Sequence, residues 1–170
     1  LADAETRFDV LSAATGQDVP KWVSPKKPAK SEAVAVAVLS DCHWDEIVRP
    51  EEVDYTNAYN REIAEMRLHR FVEKTIELSR DYVANVNVTG LVLLLGGDLV
   101  SGDIHEELKE TNEGTSLETA VHWSGELAAA IGSLADHFGN IHVAAVVGNH
   151  GRRTRKPRSK NVLSGRAAPR

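Results

Sequence analysis

Three short polar blocks each follow an apolar run: Ser40-Asp41-Cys42-His43, Gly96-Gly97-Asp98 and Gly148-Asn149-His150. Together they hold carboxylate oxygens, imidazole nitrogens and an amide carbonyl. A mixed oxygen and nitrogen donor set without thiolate suits manganese, iron or zinc and argues against an iron–sulfur or structural zinc site. Asp41 and His43 flank one residue, and in an extended segment positions i and i+2 point the same way, so one carboxylate and one imidazole are expected to face a single ion. By the same alternation Cys42 points away and reads as a small packed residue. Asp98 follows two glycines that let the backbone turn tightly, and its two oxygens can bridge two cations. Asn149 offers a neutral carbonyl oxygen. Two such ions about 3.5–4 Å apart clamp a phosphoryl oxygen and generate a hydroxide for in-line attack.

Such a site needs elements that bring three distant blocks to one place. Ala33–Leu39 is short, β-branched and apolar on both faces, as expected of a central strand in a covered parallel sheet. Residues 57–82 carry Tyr59, Ile63, Met66, Phe71, Ile76, Leu78 and Tyr82 near the spacing of an amphipathic helix. Leu91–Leu95 is a second buried strand. Ser116–Phe138 is a second helix, with Leu117, Val121, Leu127, Ile131, Leu134 and Phe138 on one face and Gly139-Asn140 as its stop. Ile141–Val147 is a third strand. The order strand, helix, strand, helix, strand, with right-handed crossovers, predicts a layered α/β domain, a βαβαβ unit whose parallel sheet is covered by helices. Ligands bind outside the carboxyl ends of strands in such sheets, so the three blocks are expected on one rim.

Composition bounds the rest. The chain has 170 residues, 42% hydrophobic and 26% charged, with one cysteine and a formal charge of −5. That length buries a core. The longest apolar stretches fall far short of the roughly 20 residues of a spanning helix, so no membrane is expected. A single Cys42 cannot pair within the chain, which makes a reducing cytoplasm the default. Residues 1–32 form an amino-terminal segment with a linker, because Pro20–Lys30 holds three prolines and four lysines. The expected domain covers 33–158. A basic tail over 159–170 is expected to be disordered. Residues 151–170 hold eight basic side chains and no acid, whereas the other 150 hold 12 basic and 25 acidic ones. Such a block is a solvated tail or a phosphate-binding surface. Its first arginines, Arg152 and Arg153, adjoin the third polar block and are candidate substrate-binding residues.

Asp-x-His, Gly-Asp and Gly-Asn-His, in order and each after an apolar strand, resemble the first three blocks of the calcineurin-like metallophosphoesterases. The resemblance covers residues 34–158, about half of that family's domain. It implies a metal-dependent phosphoester hydrolase with two divalent ions, manganese foremost and iron or zinc as alternatives. Asp41 and His43 would hold the first metal, Asp98 would bridge both, and Asn149 would hold the second. His150 would contact the phosphate or protonate the leaving group. Two departures stand out. Gly151 replaces an acidic residue common after Gly-Asn-His, and the family's later lone histidine and closing Gly-His-x-His do not follow His150. The site is therefore expected to be incomplete and the chain a fragment, an expectation that its first residue, Leu1, shares.

Residues 96–112 and 148–158 also resemble phosphoesterases of bacteriophages and related bacterial elements. With the adjoining basic block, this implies a phosphodiester in DNA or RNA as substrate. A monoester or nucleotide is the close alternative, and a non-catalytic nucleic-acid-binding module using residues 152–160 is the alternative of a different class. The oligomeric state is open. His105 reads as part of a polar loop or as a substrate group, and Asn60 as a helix cap or a site residue. His69, His122, His137 and His142 read as ordinary surface or core residues.

Overall fold

The computed structural model describes residues 31–83 and 86–152. The segment 1–30, Arg153 and the tail 159–170 lie outside the described residues. Strand β1 spans Glu32–Leu39, helix α1 Arg61–Asp81, strand β2 Asn87–Leu95, a short helix α2 Glu106–Thr111, helix α3 Ser116–Phe138 and strand β3 Ile141–Ala145, with a 3-10 turn at Pro50–Val53. The chain is thus a mixed α/β fold in the expected βαβαβ order.

Residue contacts divide it into two compact units. The first comprises the sheet with the parts of α1 from Leu68 and of α3 from Ala128. Its three strands are parallel in the order β1-β2-β3, with Val36 beside Val92, and Val92 beside His142. Its core is Leu68, Val72, Leu91, Val92, Leu93, Leu95, Ala130, Leu134, Phe138 and Ala144. The central strand is β2, not β1 as expected. Only a strand hydrogen-bonded on both sides is shielded along its whole length, and β1 has Val36 55% and Val38 58% exposed. The third strand also stops early. Its pairing ends with the Val146 N–H on the Leu95 carbonyl, and Val146 and Val147 are exposed.

The second unit comprises Ser40–Arg67, Gly96–Leu127 and the chain from Val147. Its core is Trp44, Tyr59, Ala64, Ile104 and Trp123, with Asp45, Ser101 and Thr119 buried among them. The buried stripe differs from the expected one on α1 and in the first half of α3, whereas Leu134 and Phe138 of α3 are buried as expected. Helix α1 buries Ala64, Leu68 and Val72, spaced four apart, and exposes Met66, Leu78 and Tyr82. Helix α3 buries Thr119, Trp123, Ala130, Leu134 and Phe138, whereas Leu117 is 75% and Val121 68% exposed. The helix ends have physical causes. The Asn60 side chain accepts the Ile63 N–H at 2.9 Å, which makes it the cap of α1. Thr115 and Glu118 form a reciprocal capping box before α3, and Gly139 ends it in the left-handed conformation at φ +71°. Among the described residues, no helix is long and apolar enough to cross a membrane.

Candidate functional site

The polar blocks that follow the three strands all lie in the second unit. The first and second run side by side. The Asp41 N–H donates to the Gly97 carbonyl at 3.0 Å, that of His43 to Asp98 at 3.1 Å and that of Trp44 to Leu99 at 2.8 Å, and Ser101 returns a bond to the Trp44 carbonyl at 2.9 Å. The second and third are joined by the His150 N–H, which donates to Asp98 Oδ1 at 2.7 Å. Asp98 thus holds His43 through its main chain and His150 through its carboxylate. The His43 and His150 rings meet edge to face, with centroids 4.4 Å apart and planes at 84°.

Two glycines permit these approaches. A Cβ on Gly148 would lie 2.1 Å from Asp98 Oδ1, and one on Gly102, at φ +66°, would lie 2.0 Å from the His150 carbonyl oxygen. The His150 ring is fixed as well. Its Nδ1 lies 2.7 Å from the Ser101 carbonyl oxygen, which can only accept, so the proton of the neutral ring sits on Nδ1 and the lone pair on Nε2.

Asp41 and His43 do not point together by strand alternation. Asp41 (φ +53°), His43 (φ +48°) and Asp45 (φ +72°) are left-handed, as is Asp98 (φ +46°). Asp and His tolerate that region better than most residues, yet it stays uphill by about 1–2 kcal/mol per residue. Non-glycine residues in this region gather at functional sites and persist where their surroundings over-determine them. Asp41 is exposed and His43 half-buried. Ser40 Oγ is hydrogen-bonded to Asp41 Oδ2, and His43 Nδ1 lies 4.0 Å from Glu46 Oε2.

Asn149 is exposed, and its carbonyl accepts the Arg152 N–H at 3.3 Å and Arg152 Nε–H at 3.0 Å. Arg152 thereby stays beside the third block. The Cys42 thiol is half-buried. Burial, then the Asp41 charge, push it up to about 11, so it remains protonated and packed. His105 is exposed at the start of α2, where a helix replaces the expected loop, and its ring centroid is 5.8 Å from that of His150. His122 pairs with Glu65 at 2.8 Å.

Sequence reasoning missed the support beneath the first block. Asp45 is fully buried. It accepts from Arg61 Nε at 2.9 Å and Nη2 at 2.7 Å, Thr119 Oγ1 at 2.6 Å and Trp123 Nε1 at 2.9 Å. Burial pulls this carboxyl upward, but the hydrogen bonds from Arg61, Thr119 and Trp123 outweigh it and hold the group below its ordinary range. Trp44 stacks on Trp123, centroids 4.4 Å apart and 6° from parallel. Tyr59 donates to the Cys42 carbonyl at 2.5 Å, and burial pushes its phenol up to about 12. The signal available was a second aspartate two positions after His43, followed at α1 by an arginine.

Two carboxylates, an imidazole and an amide oxygen match in kind the donors of a hard or borderline divalent cation, and the Gly148 gap keeps the Asp98 carboxylate against the third block. Among the described residues, no three His, Cys, Asp or Glu side chains are grouped so as to hold an ion by themselves. No protein-family model, curated protein or solved structure significantly matches the chain.

Proposed function

We propose that this chain carries part of the active site of a metal-dependent phosphoester hydrolase of the calcineurin-like metallophosphoesterase type, acting on phosphodiesters of DNA or RNA. The observation that carries the reading is the double grip of Asp98 on His43 and His150, which gathers the polar blocks following three separate strands. In this reading Asp41 and His43 would hold one divalent ion, Asp98 would be shared with a second, and Asn149 would hold that one, with manganese the best match to the donors. When bound, the ions would neutralise phosphoryl oxygens and acidify a water.

The residues of the chain do the rest. The Ser101 carbonyl accepts Nδ1–H of His150 and keeps Nε2 as the exchanging nitrogen. An imidazolium there donates Nε2–H to the leaving oxygen and returns to the Nδ1–H tautomer, the one that the Ser101 carbonyl already favours. Arg152, beside the third block, supplies positive charge for a phosphate backbone, and Arg153 follows it in the sequence.

The test is hydrolysis of bis-p-nitrophenyl phosphate and of p-nitrophenyl phosphate by the full-length protein with added manganese. The expected result is manganese-dependent cleavage, faster for the diester, and reduced on the order of 10²-fold by Asp98→Asn. Asn keeps the acceptor for His150 and tolerates the left-handed backbone, so it removes the charge with little change of shape. Cleavage independent of manganese, or indifferent to Asp98→Asn, would overturn the reading. Faster monoester cleavage would move the substrate to a nucleotide or other monoester.

A further inference from the structure

We infer that Asp45 is a positioning residue: its buried carboxylate locks the left-handed turn that presents Asp41 and His43. What the turn presents them for rests on the proposed hydrolase, but the locking geometry does not.

In the series Asp41-x-His43-x-Asp45, alternate spacing invites reading Asp45 as a third ligand. The structure assigns it the opposite role. Oδ1 accepts from Arg61 Nε and Trp123 Nε1, and Oδ2 from Arg61 Nη2 and Thr119 Oγ1. An ionised carboxylate has about four acceptor positions, and four donors approach this one. No surface of the residue reaches solvent. Four donors with no acceptor also require the ionised form, and the Arg61 fork supplies the matching charge.

The anchor acts at the right place. Asp41, His43 and Asp45 are left-handed at alternate positions, a backbone that reverts unless held. Asp45 fixes the far end of that turn to Arg61 on α1 and to Thr119 and Trp123 on α3. Its carbonyl accepts the Glu113 N–H at 2.9 Å. Trp44, between His43 and Asp45, stacks on the same Trp123 that donates to Asp45. One buried charge therefore sets where the turn leaves the core, and the His43 ring against His150 is what that setting delivers. Arg61→Lys keeps the charge but loses the planar fork, and Thr119→Val removes one donor, so both should loosen the same turn by a smaller amount.

Imidazole nitrogen–proton correlation spectra of the metal-free chain read the outcome directly. They are to be recorded for the unaltered chain, for Asp45→Asn, for Arg61→Lys and Thr119→Val in case Asp45→Asn does not fold, and for Leu134→Ala. The last is a destabilised control in the core of the other unit. The expected result is displaced and broadened His43 and His150 signals in the Asp45-network variants, unchanged signals in Leu134→Ala, and manganese affinity reduced at least tenfold in the former only. Unchanged His43 and His150 signals in a folded network variant, or equal displacement in Leu134→Ala, would overturn the inference. Failure of the unaltered chain to bind manganese would count against the proposed hydrolase, while the imidazole signals would still decide the role of Asp45.

Discussion

Asp98 Oδ1 accepts the main-chain N–H of His150 at 2.7 Å while the Asp98 carbonyl accepts that of His43 at 3.1 Å. One residue at the end of the central strand thus fixes the two histidines whose rings then meet. Both donors are main-chain N–H groups; the His43 bond is backbone to backbone, and the His150 bond rests on the Asp98 rotamer that turns Oδ1 to the third block. The left-handed φ of Asp98, and the glycine at 148 that lets the third block approach, are the local price of that junction.

Gly148→Ala should break it. The new Cβ would fall 2.1 Å from the side-chain oxygen Asp98 Oδ1 and 2.2 Å from the Asp98 nitrogen, and the latter is backbone that cannot swing aside. Overpacking of this kind costs about 1–3 kcal/mol. Urea unfolding should show a loss in that range, together with displaced His150 imidazole signals. An unchanged midpoint would mean that the third block is held less closely than described.

Ser101→Ala should behave in the opposite way. The Ser101 hydroxyl is buried with no hydrogen-bond partner among the described residues, whereas its carbonyl holds His150. An unsatisfied buried polar group is destabilising by about 1–3 kcal/mol. Thermal melting of the alanine variant should therefore show equal or higher stability with His150 unmoved. A marked loss would show that the hydroxyl is satisfied by buried water.

Acid should weaken the start of α3 through Glu118. The Thr115 N–H, then the Thr115 hydroxyl, hydrogen-bond its carboxylate and hold it below the ordinary range. A depressed folded value means that the stabilisation is complete above the unfolded value of about 4.3 and is lost as pH falls through the folded one. Glu118→Gln retains the box geometry and removes the titration. Unfolding measured from pH 6 to pH 3 should fall less steeply for Glu118→Gln than for the unaltered chain, and parallel curves would contradict the assignment.

Much of this architecture was legible because it is periodic or chemically marked. The span of α3 follows from its length, its following glycine and its apolar spacing, and the three strands follow from short apolar runs. The role of each strand in the sheet was not legible. Ala33–Leu39 and Leu91–Leu95 are both apolar on two faces, and only tertiary pairing decides that β2 lies between its neighbours. On α1 and α3 small and polar residues, Ala64, Ala130 and Thr119, pack inside while the expected Met66, Leu117 and Val121 stay outside, and only the far end of the α3 stripe, Leu134 and Phe138, is buried as expected. At the site, residue types named Asp41, His43, Asp98, Asn149 and His150, but the turn that carries the first two is left-handed, not extended. Asp45 escaped notice because a buried carboxylate is recognisable only when its donors, from residues 61, 119 and 123, are brought to it.

The central claim is that the polar blocks following the three strands form one divalent-cation site, and manganese binding followed by electron paramagnetic resonance tests it most directly. The unaltered chain is expected to take up manganese, with affinity reduced on the order of 10–100-fold by Asp98→Asn and by His43→Ala, since even outer partners of a metal site are worth that much. Uptake that is absent, or the same in all three proteins, would contradict it.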